Sequence, residues 1–221
     1  MRKLTHQELL KRQSSCAEQR LPVTVILNNV RSLYNVGSIF RTADATGIEK
    51  IWLCGITGTP DSIGHGKSKK SEVRSPKTRI AKTALGAERT VPWEYRENVI
   101  SIVKELKSQD YEIVLLEQIK GSTPYQEFEP RRPVCLVLGN EISGVSDELL
   151  ALSDRAIEIE MAGLKNSLNV TVAFGIAAYH VRNCLRPSLR GGRKTDEAIS
   201  GIASASFGTL PRNDGKRCAS P

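Results

Sequence analysis

Short apolar runs alternate along the chain with longer amphipathic segments, and this alternation predicts the fold class. Five runs are apolar or β-branched and are bounded by polar or turn residues, as expected of strands that are buried on both faces. The predicted strands span residues 23–27, 50–54, 111–116, 134–138 and 156–159. Strands of this kind are typical of parallel sheets that helices cover on both sides.

The segments between these strands have helical periodicity. After the first strand, Asn35 can cap a helix that ends at Gly47. The apolar face of this helix is formed by Val36, Ile39, Phe40 and Ala43. Further helices are predicted at residues 5–20, 99–106, 147–152 (capped by Ser146) and 167–185. Alternating strands and helices predict an α/β domain with a mostly parallel sheet flanked by helices.

Two segments fall outside this alternation. The connection 57–82 is rich in Gly and Pro, and residues 57–90 carry eight Lys and Arg against three acidic residues. Connections of this length are usually either functional or disordered. The Gly/Ser-rich tail 186–221 carries seven cations against three acids, so we expect disorder or folding on a partner, with RNA contact and solubilisation both open. The predicted organisation is a helical extension 1–20, one domain 21–185 and this basic tail.

The charge of the whole chain favours a polyanionic partner. Its 221 residues include 32 Lys and Arg against 24 Asp and Glu, a net charge of +8. The alternative is a solvated basic surface, but cations that bind a phosphate backbone gain affinity by releasing counterions. The five scattered cysteines form no C-x-x-C pair, which indicates a reducing cytoplasm rather than a zinc site or disulfides. No metal site, signal peptide or membrane span is predicted.

Three separated segments carry the candidate chemistry: residues 28–43, 138–144 and 159–170. Each places Gly, Asn, Ser or a charged side chain where a buried strand ends or a helix begins, which is where ligands bind in α/β sheets. In the first segment, Arg41 is well placed to hold a phosphate near a helix start. Alternatively, Arg41 pairs with Asp44 on the surface and Gly37 only allows close helix packing.

The other two segments also have alternative explanations. In the second, Gly139 and Gly144 would let a ligand approach the backbone and Glu141 would supply an acceptor, although an ordinary strand-to-helix turn explains the same residues. In the third, Ser167 as a helix cap with Asn169 just inside the helix is a common structural arrangement. A P-loop is excluded, because the Gly-Lys-Ser at 66–68 lacks the required upstream glycine and strand.

Taken together, the three segments resemble the SpoU/TrmH branch of the SPOUT methyltransferases over residues 20–185. The first motif is matched by Asn29, Asn35, Gly37, Arg41, Thr42 and Ala43. The second is matched by Gly139, Asn140, Glu141 and Gly144, and the third by Ile159, Met161, Gly163, Ser167, Leu168, Asn169 and Val170. Residues 82–88 also resemble a segment common in the family. One residue departs: Glu160, close to Glu158, replaces the usual proline, which predicts a looser loop and added negative charge near the cofactor.

The resemblance implies a SPOUT fold with a deep C-terminal trefoil knot that binds S-adenosylmethionine in a bent shape. It also implies a homodimer with sites near the subunit interface and methyl transfer to a ribose 2′-hydroxyl of structured RNA. We expect tRNA rather than ribosomal RNA as the substrate, with a guanosine as a candidate nucleotide. Ribosomal RNA and a catalytically idle RNA-binding relative are the alternatives.

Roles for individual residues also follow from the resemblance. Arg41 would be the catalytic residue, and the site would be organised by Asn35, Glu141, Ser167 and Asn169. The cofactor would lie against Leu116, Glu117, Gly139, Ile159, Ser167 and Leu168. The cations expected to bind RNA are Arg31, Arg41, Lys67, Lys69, Lys70 and Arg74. A guanidinium, with a pKa above about 12, is a poor base, so we expect Arg41 to clamp a phosphate and stabilise the developing alkoxide.

Overall fold

A computed structural model of the chain describes residues 2–5, 7–8, 20–60 and 76–185. The strands are β1 (Leu21–Asn28), β2 (Ile48–Cys54), β3 (Trp93–Arg96), β4 (Glu112–Leu116), β5 (Thr123–Pro124), β6 (Val134–Leu138) and β7 (Arg155–Glu158). The helices are α1 (Leu33–Thr46), α2 (Pro76–Ala84), α3 (Ala87–Thr90), α4 (Val99–Ser108), α5 (Asp147–Leu152) and α6 (Val170–Leu185). A 3-10 turn, Tyr125–Glu127, follows β5.

The seven strands form one sheet in the order β3-β2-β1-β6-β4-β7-β5, and every pairing between them is parallel. This confirms the predicted α/β class. The five predicted strands are all present, with ends shifted by one or two residues. The strands β1, β4 and β6 lie in the middle of the sheet and are almost entirely buried, which explains why their sequences are continuously apolar.

The sheet is covered on both faces. The helices α1, α2 and α6 pack with one face of the central strands, and α4 and α5 pack on the other. Cys54 and Cys135 are fully buried between the sheet and the layer of α4 and α5, as predicted. Burial raises the pKa of the Cys54 thiol to about 12. The thiols of Cys54, Cys135 and Cys184 are free. Among the described residues, no helix has the length and apolar character needed to cross a bilayer.

Two predicted helix caps are wrong. Helix α1 is capped by Ser32, whose side chain accepts a hydrogen bond from the backbone N–H of Asn35, so Asn35 itself lies inside the helix. Its end at Gly47 is confirmed, with φ at 74°. Helix α6 begins at Val170 rather than at Ser167, and the Asn169 side chain accepts from the backbone N–H of Thr171. In both cases the capping side chain lies immediately before the helix.

Part of the predicted connection 57–82 is helical. Residues 76–82 belong to α2, whose Ile80 and Ala84 are fully buried, and residues 61–75 lie outside the described chain. Strand β3 was also missed, because it is short and carries exposed polar residues such as Arg96 at an edge of the sheet. The boundaries predicted at residues 20 and 185 remain a prediction.

Helix α2 approaches α1 closely at Gly37. A Cβ at this position would overlap the Thr83 hydroxyl and the Ile80 carbonyl oxygen of α2. The Thr83 hydroxyl in turn donates to the Tyr34 carbonyl of α1 at 2.9 Å. Close helix packing is therefore a sufficient explanation for Gly37.

We expect Gly37→Ala to lower the free energy of unfolding by about 1–3 kcal/mol, because the added methyl forces α1 and α2 apart. Gly175→Ala in α6 is the matched control, since nothing lies within 4 Å of a Cβ built there. This control should be neutral or stabilise by up to about 1 kcal/mol, as alanine is the better helix former. Urea denaturation of the two variants provides the measurement. Equal stability of Gly37→Ala and the wild type would contradict the close approach.

Candidate active site

The three predicted segments converge at the carboxyl edge of the sheet. Strand β6 lies between β1 and β4, with Leu27 opposite Leu138 and Leu115 opposite Val137, and β7 lies on the far side of β4. Because parallel neighbours end at the same edge, the segments that follow β1, β4, β6 and β7 meet there. The convergence predicted from the sequence is present in the structure.

The segment after β6 is a compact turn held by Asn140. The Asn140 side chain donates to the Asn29 carbonyl at 2.9 Å and accepts from the backbone N–H groups of Ile142 and Ser143 at 2.9 and 3.0 Å. The backbones of Asn140 and Gly144 exchange two hydrogen bonds, each of 3.0 Å. A Cβ on Gly139 would lie 2.7 Å from the Gly144 carbonyl. Gly139 is therefore required by the packing of the turn itself.

Glu141 connects this turn to the first segment, and Asn35 extends the connection to the third. The Glu141 carboxylate accepts from the Arg31 backbone N–H at 3.2 Å and from the Asn35 side-chain amide at 3.3 Å. The side-chain oxygen of Asn35 accepts from the side-chain amide of Asn169 at 3.4 Å. Asn169 is itself fixed by accepting from the Thr171 hydroxyl and backbone N–H. Three of the five predicted catalytic residues thus form one hydrogen-bonded chain.

Arg41 and Ser167, the other two predicted catalytic residues, are not hydrogen-bonded to this group of three. Arg41 lies six residues after Asn35 in α1, about 9 Å further along the helix axis, and is exposed. Within the described residues Arg41 forms no hydrogen bond or ion pair, and Asp44 accepts from the Thr90 hydroxyl instead. The surface pairing of Arg41 with Asp44 is therefore wrong. Ser167 is exposed and has no hydrogen bond to the described chain.

A cavity of about 160 Å³ opens beside the hydrogen-bonded chain. It is lined by residues that follow β4, β6 and β7 and by the start of α6. The lining includes all six residues predicted to contact the cofactor: Leu116, Glu117, Gly139, Ile159, Ser167 and Leu168. Glu141 also lines it, which places the cavity directly against the Glu141–Asn35–Asn169 chain. Four separate parts of the sequence meet in this one cavity.

The cavity walls are held together by contacts between its own lining residues. The Gln118 side chain donates to the Ile159 carbonyl at 3.2 Å, which joins the segment after β4 to that after β7. Gly144 has a φ of 64°, and a Cβ there would lie 2.7 Å from the Glu117 carboxylate. The turn after β6 therefore packs directly against Glu117. Gln118 was missed by the sequence analysis, although its position directly after a central strand was a usable signal.

Within the described part of the chain, the charged residues that line the cavity are all acidic. Glu117, Glu141 and Glu158 are among its lining residues, and no Lys, Arg or His is. Glu160 does not line the cavity and is exposed. Glu158, two residues earlier, is among the lining residues instead. The expectation that Glu160 adds negative charge near the cofactor stays a prediction. Side chains alternate along an extended segment, but the chain leaves β7 after Glu158, so periodicity does not decide where Glu160 points.

Asn29 and Thr57 shape the entry to α1. Asn29 has a φ of 62°, and its side chain accepts from the Ile56 backbone N–H at 3.1 Å. The buried Thr57 hydroxyl donates to the Leu27 carbonyl at 2.9 Å and accepts from the Val30 N–H at 3.0 Å. These bonds satisfy the backbone where β1 ends and turns toward the site. Thr57 was missed, because nothing in its local sequence marks it as buried.

Of the cations expected to bind RNA, Arg31 and Arg41 are described and exposed; Arg31 lies just before α1 and Arg41 near its middle. The others, Lys67, Lys69, Lys70 and Arg74, lie outside the described residues. Lys82 of α2 adds a further exposed cation, 6.0 Å from the ring of Tyr34, a side chain that is 43% exposed. In the described part of the chain, no group of three or more His, Cys, Asp or Glu residues is arranged to hold a metal.

Comparisons with known proteins agree with this geometry. The sequence profile of the SpoU rRNA methylase family matches residues 22–179. The chain is 31% identical over 183 residues to the tRNA (guanosine(18)-2′-O)-methyltransferase of Aquifex aeolicus, which covers 82% of this chain and 79% of the relative. It is 32% identical over 158 residues to the 23S rRNA (guanosine(2553)-2′-O)-methyltransferase of Bacillus subtilis, covering 72% of this chain and 57% of the relative.

The fold is also that of solved structures. An AdoMet-bound rRNA methyltransferase from Sinorhizobium meliloti superimposes with a TM-score of 0.64 at 27% identity, over 76% of this chain and 58% of that one. The chain thus spans less than two thirds of the Bacillus and Sinorhizobium proteins.

The turn after β6 should depend on Asn140. We expect Asn140→Ala to lower the free energy of unfolding by about 1–3 kcal/mol, because the Asn29 carbonyl and two backbone N–H groups lose their partner. Asn166→Ala is the control, since Asn166 lines the same cavity but is exposed and unbonded within the described chain. Urea denaturation of both variants tests this. A loss of stability in Asn166→Ala as large as in Asn140→Ala would contradict it.

Proposed function

The chain belongs to the SpoU rRNA methylase family, and from this premise we propose that it transfers the methyl group of S-adenosylmethionine to a ribose 2′-hydroxyl of structured RNA. One observation carries the proposal for this chain. The Glu141–Asn35–Asn169 chain of hydrogen bonds borders a cavity lined by all six residues expected to contact the cofactor. A protein that had kept the fold and lost the activity would have no reason to keep both these hydrogen bonds and the cavity lining.

The cavity fits S-adenosylmethionine in its chemistry. Leu116, Ile159 and Leu168 provide apolar walls, and the segments around them expose backbone groups at strand ends. The acidic lining suits a ligand that carries a sulfonium charge. When bound, the cofactor supplies an electrophilic methyl group. The residues of the chain hold it and shape the cavity around it.

Arg41 is proposed to act on the RNA. Its guanidinium is exposed and has no partner in the described chain, so it is free to bind a phosphate with two parallel hydrogen bonds. A guanidinium does not accept a proton at neutral pH, so the proton of the 2′-hydroxyl leaves to a phosphate oxygen or to water. Arg41 then stabilises the negative charge that develops on the ribose oxygen.

The surface around α1 supports RNA as the substrate. Tyr34 and Arg41 are exposed along this helix, Arg31 is exposed just before it, and Lys82 of α2 lies beside the Tyr34 ring. Cations flanking an exposed aromatic ring suit a single-stranded nucleotide, which can stack its base while its phosphate is neutralised. We propose that the basic segment containing Lys67, Lys69, Lys70 and Arg74 extends this surface.

We propose tRNA as the substrate class, with a guanosine as the target. The similarity to the Aquifex tRNA enzyme supports this, because it extends over most of both chains. Ribosomal RNA is the second candidate, supported by the Bacillus relative. An idle RNA-binding protein is not favoured, because Glu160, the residue that departs from the family motif, lies outside the cavity.

The proposal includes a trefoil knot and a homodimer. The insertion of β6 between β1 and β4, together with the return of α6 to pack with α1, supports a chain that passes back through its own loops. Exposed apolar residues support a subunit interface near the cavity: Leu164, Leu168, Val172 and Tyr179. Val172 and Tyr179 are two turns apart in α6 and share one face. We also propose a cytoplasmic location, which suits three free thiols.

Arg41→Ala should abolish methyl transfer to RNA while changing the affinity for S-adenosylmethionine by less than a few-fold, because Arg41 does not line the cavity. Arg131→Ala is the matched control, since Arg131 is an exposed arginine before β6, at the opposite edge of the sheet. Transfer of labelled methyl to total RNA and calorimetric titration with the cofactor measure the two properties. Wild-type turnover by Arg41→Ala would refute its assignment.

The substrate can be identified by mapping 2′-O-methylated nucleotides in RNA from cells with and without the gene. We expect at least one position to lose its methyl group in the absence of the gene, and expect it to be a guanosine of a tRNA. Loss at a ribosomal position alone would replace tRNA by the second candidate. No lost position in either class of RNA would contradict the proposed function.

A further inference from the structure

Three glutamates line the cavity, and their side chains differ in the hydrogen bonds that they accept. Glu141 accepts hydrogen bonds from Arg31 and Asn35, and Glu117 accepts one from the backbone of Gln118 and packs against Gly144. The Glu158 side chain, in contrast, has no hydrogen bond or ion pair within the described chain. Glu158 is half-buried at the end of β7, and the end of this strand forms one wall of the cavity.

We propose that Glu158 makes the cavity discriminate between the methyl donor and the demethylated product by charge. This rests on the proposed function, since it takes the ligand to be S-adenosylmethionine. Methyl transfer moves the methyl group from sulfur to the ribose oxygen, which loses its proton to phosphate or water. The sulfonium thereby becomes a neutral thioether. Substrate and product then differ by one methyl group and one positive charge.

A carboxylate without a local partner responds most to such a change. Charge already balanced by hydrogen-bond donors, as in Glu141, is partly neutralised before any ligand binds. The field of Glu158 is not offset by any cation of the cavity lining. In a cavity with reduced access to water, the attraction between unit charges is stronger than at an open surface. Glu158 therefore favours the sulfonium, and the attraction is lost when the product forms.

Discrimination of this kind would assist turnover. A neutral product held less tightly than the donor leaves the cavity more readily, and fresh donor replaces it. The chain itself provides the comparison residue, because Glu160 is a second glutamate two positions away that lies outside the cavity and is exposed. Neutralising Glu158 or Glu160 changes the net charge of the protein equally, but only Glu158 is a lining residue of the cavity.

The test is calorimetric titration of the full-length chain, as wild type, Glu158→Gln and Glu160→Gln. The ligands are S-adenosylmethionine, S-adenosylhomocysteine and sinefungin, in which an amine replaces the sulfonium. Wild type should bind the two cationic ligands roughly three- to tenfold more tightly than the neutral one, as expected of one partly screened charge pair. Glu158→Gln should lose most of this preference with an unchanged affinity for S-adenosylhomocysteine, and Glu160→Gln should keep it.

Raising the salt concentration should reduce the wild-type preference, because mobile ions screen the attraction. The unchanged affinity for the neutral ligand also shows that Glu158→Gln is folded. An equal preference in Glu158→Gln and wild type, or no preference in wild type, overturns this inference and leaves the proposed function standing. Failure of wild type to bind any of the three ligands overturns both.

Discussion

The parallel placement of β6 between β1 and β4 is the constraint on which the site depends. With Leu27 opposite Leu138, the chain leaving β1 and the chain leaving β6 emerge side by side, within reach of the 2.9 Å hydrogen bond from Asn140 to the Asn29 carbonyl. That bond fixes the turn from which Glu141 reaches the start of α1. A shift of register by one residue would move Glu141 away from Asn35 and would reverse the faces of a strand that is buried on both sides.

The site separates two charges that the reaction must bring together. The cofactor is cationic at the reacting atom, and the RNA is a polyanion. The cavity lining includes Glu117, Glu141 and Glu158, whereas Arg31 just before α1 and Arg41 within it are exposed. The Glu141–Asn35 contact lies at the border between them, so a ribose held by the basic surface would face the cavity. This arrangement also explains how an overall basic chain can contain an acidic binding site.

Sequence patterns predicted the sheet and the location of the site, because both follow from short-range signals. Apolar runs mark buried strands, and Gly, Asn and Glu at their ends mark the ligand edge. The patterns failed at the exact start of a helix, at a contact between distant segments, and in choosing between neighbouring glutamates. Ser32 rather than Asn35 caps α1, the end of the basic connection folds as α2 because Gly37 accommodates it, and Glu158 rather than Glu160 is a lining residue of the cavity. The roles of Arg41 and Ser167 came from family resemblance, and neither is bonded to the other site residues.

The central claim is that this site methylates a ribose oxygen, and the position of the transferred methyl group tests it most directly. The chain is incubated with S-adenosylmethionine labelled in its methyl group and with unmodified tRNA, and the RNA is then hydrolysed in alkali. A 2′-O-methyl group removes the hydroxyl that alkaline cleavage requires, so we predict that the label is found in alkali-resistant dinucleotides. Label in single nucleotides would place the methyl group on a base and would contradict the account.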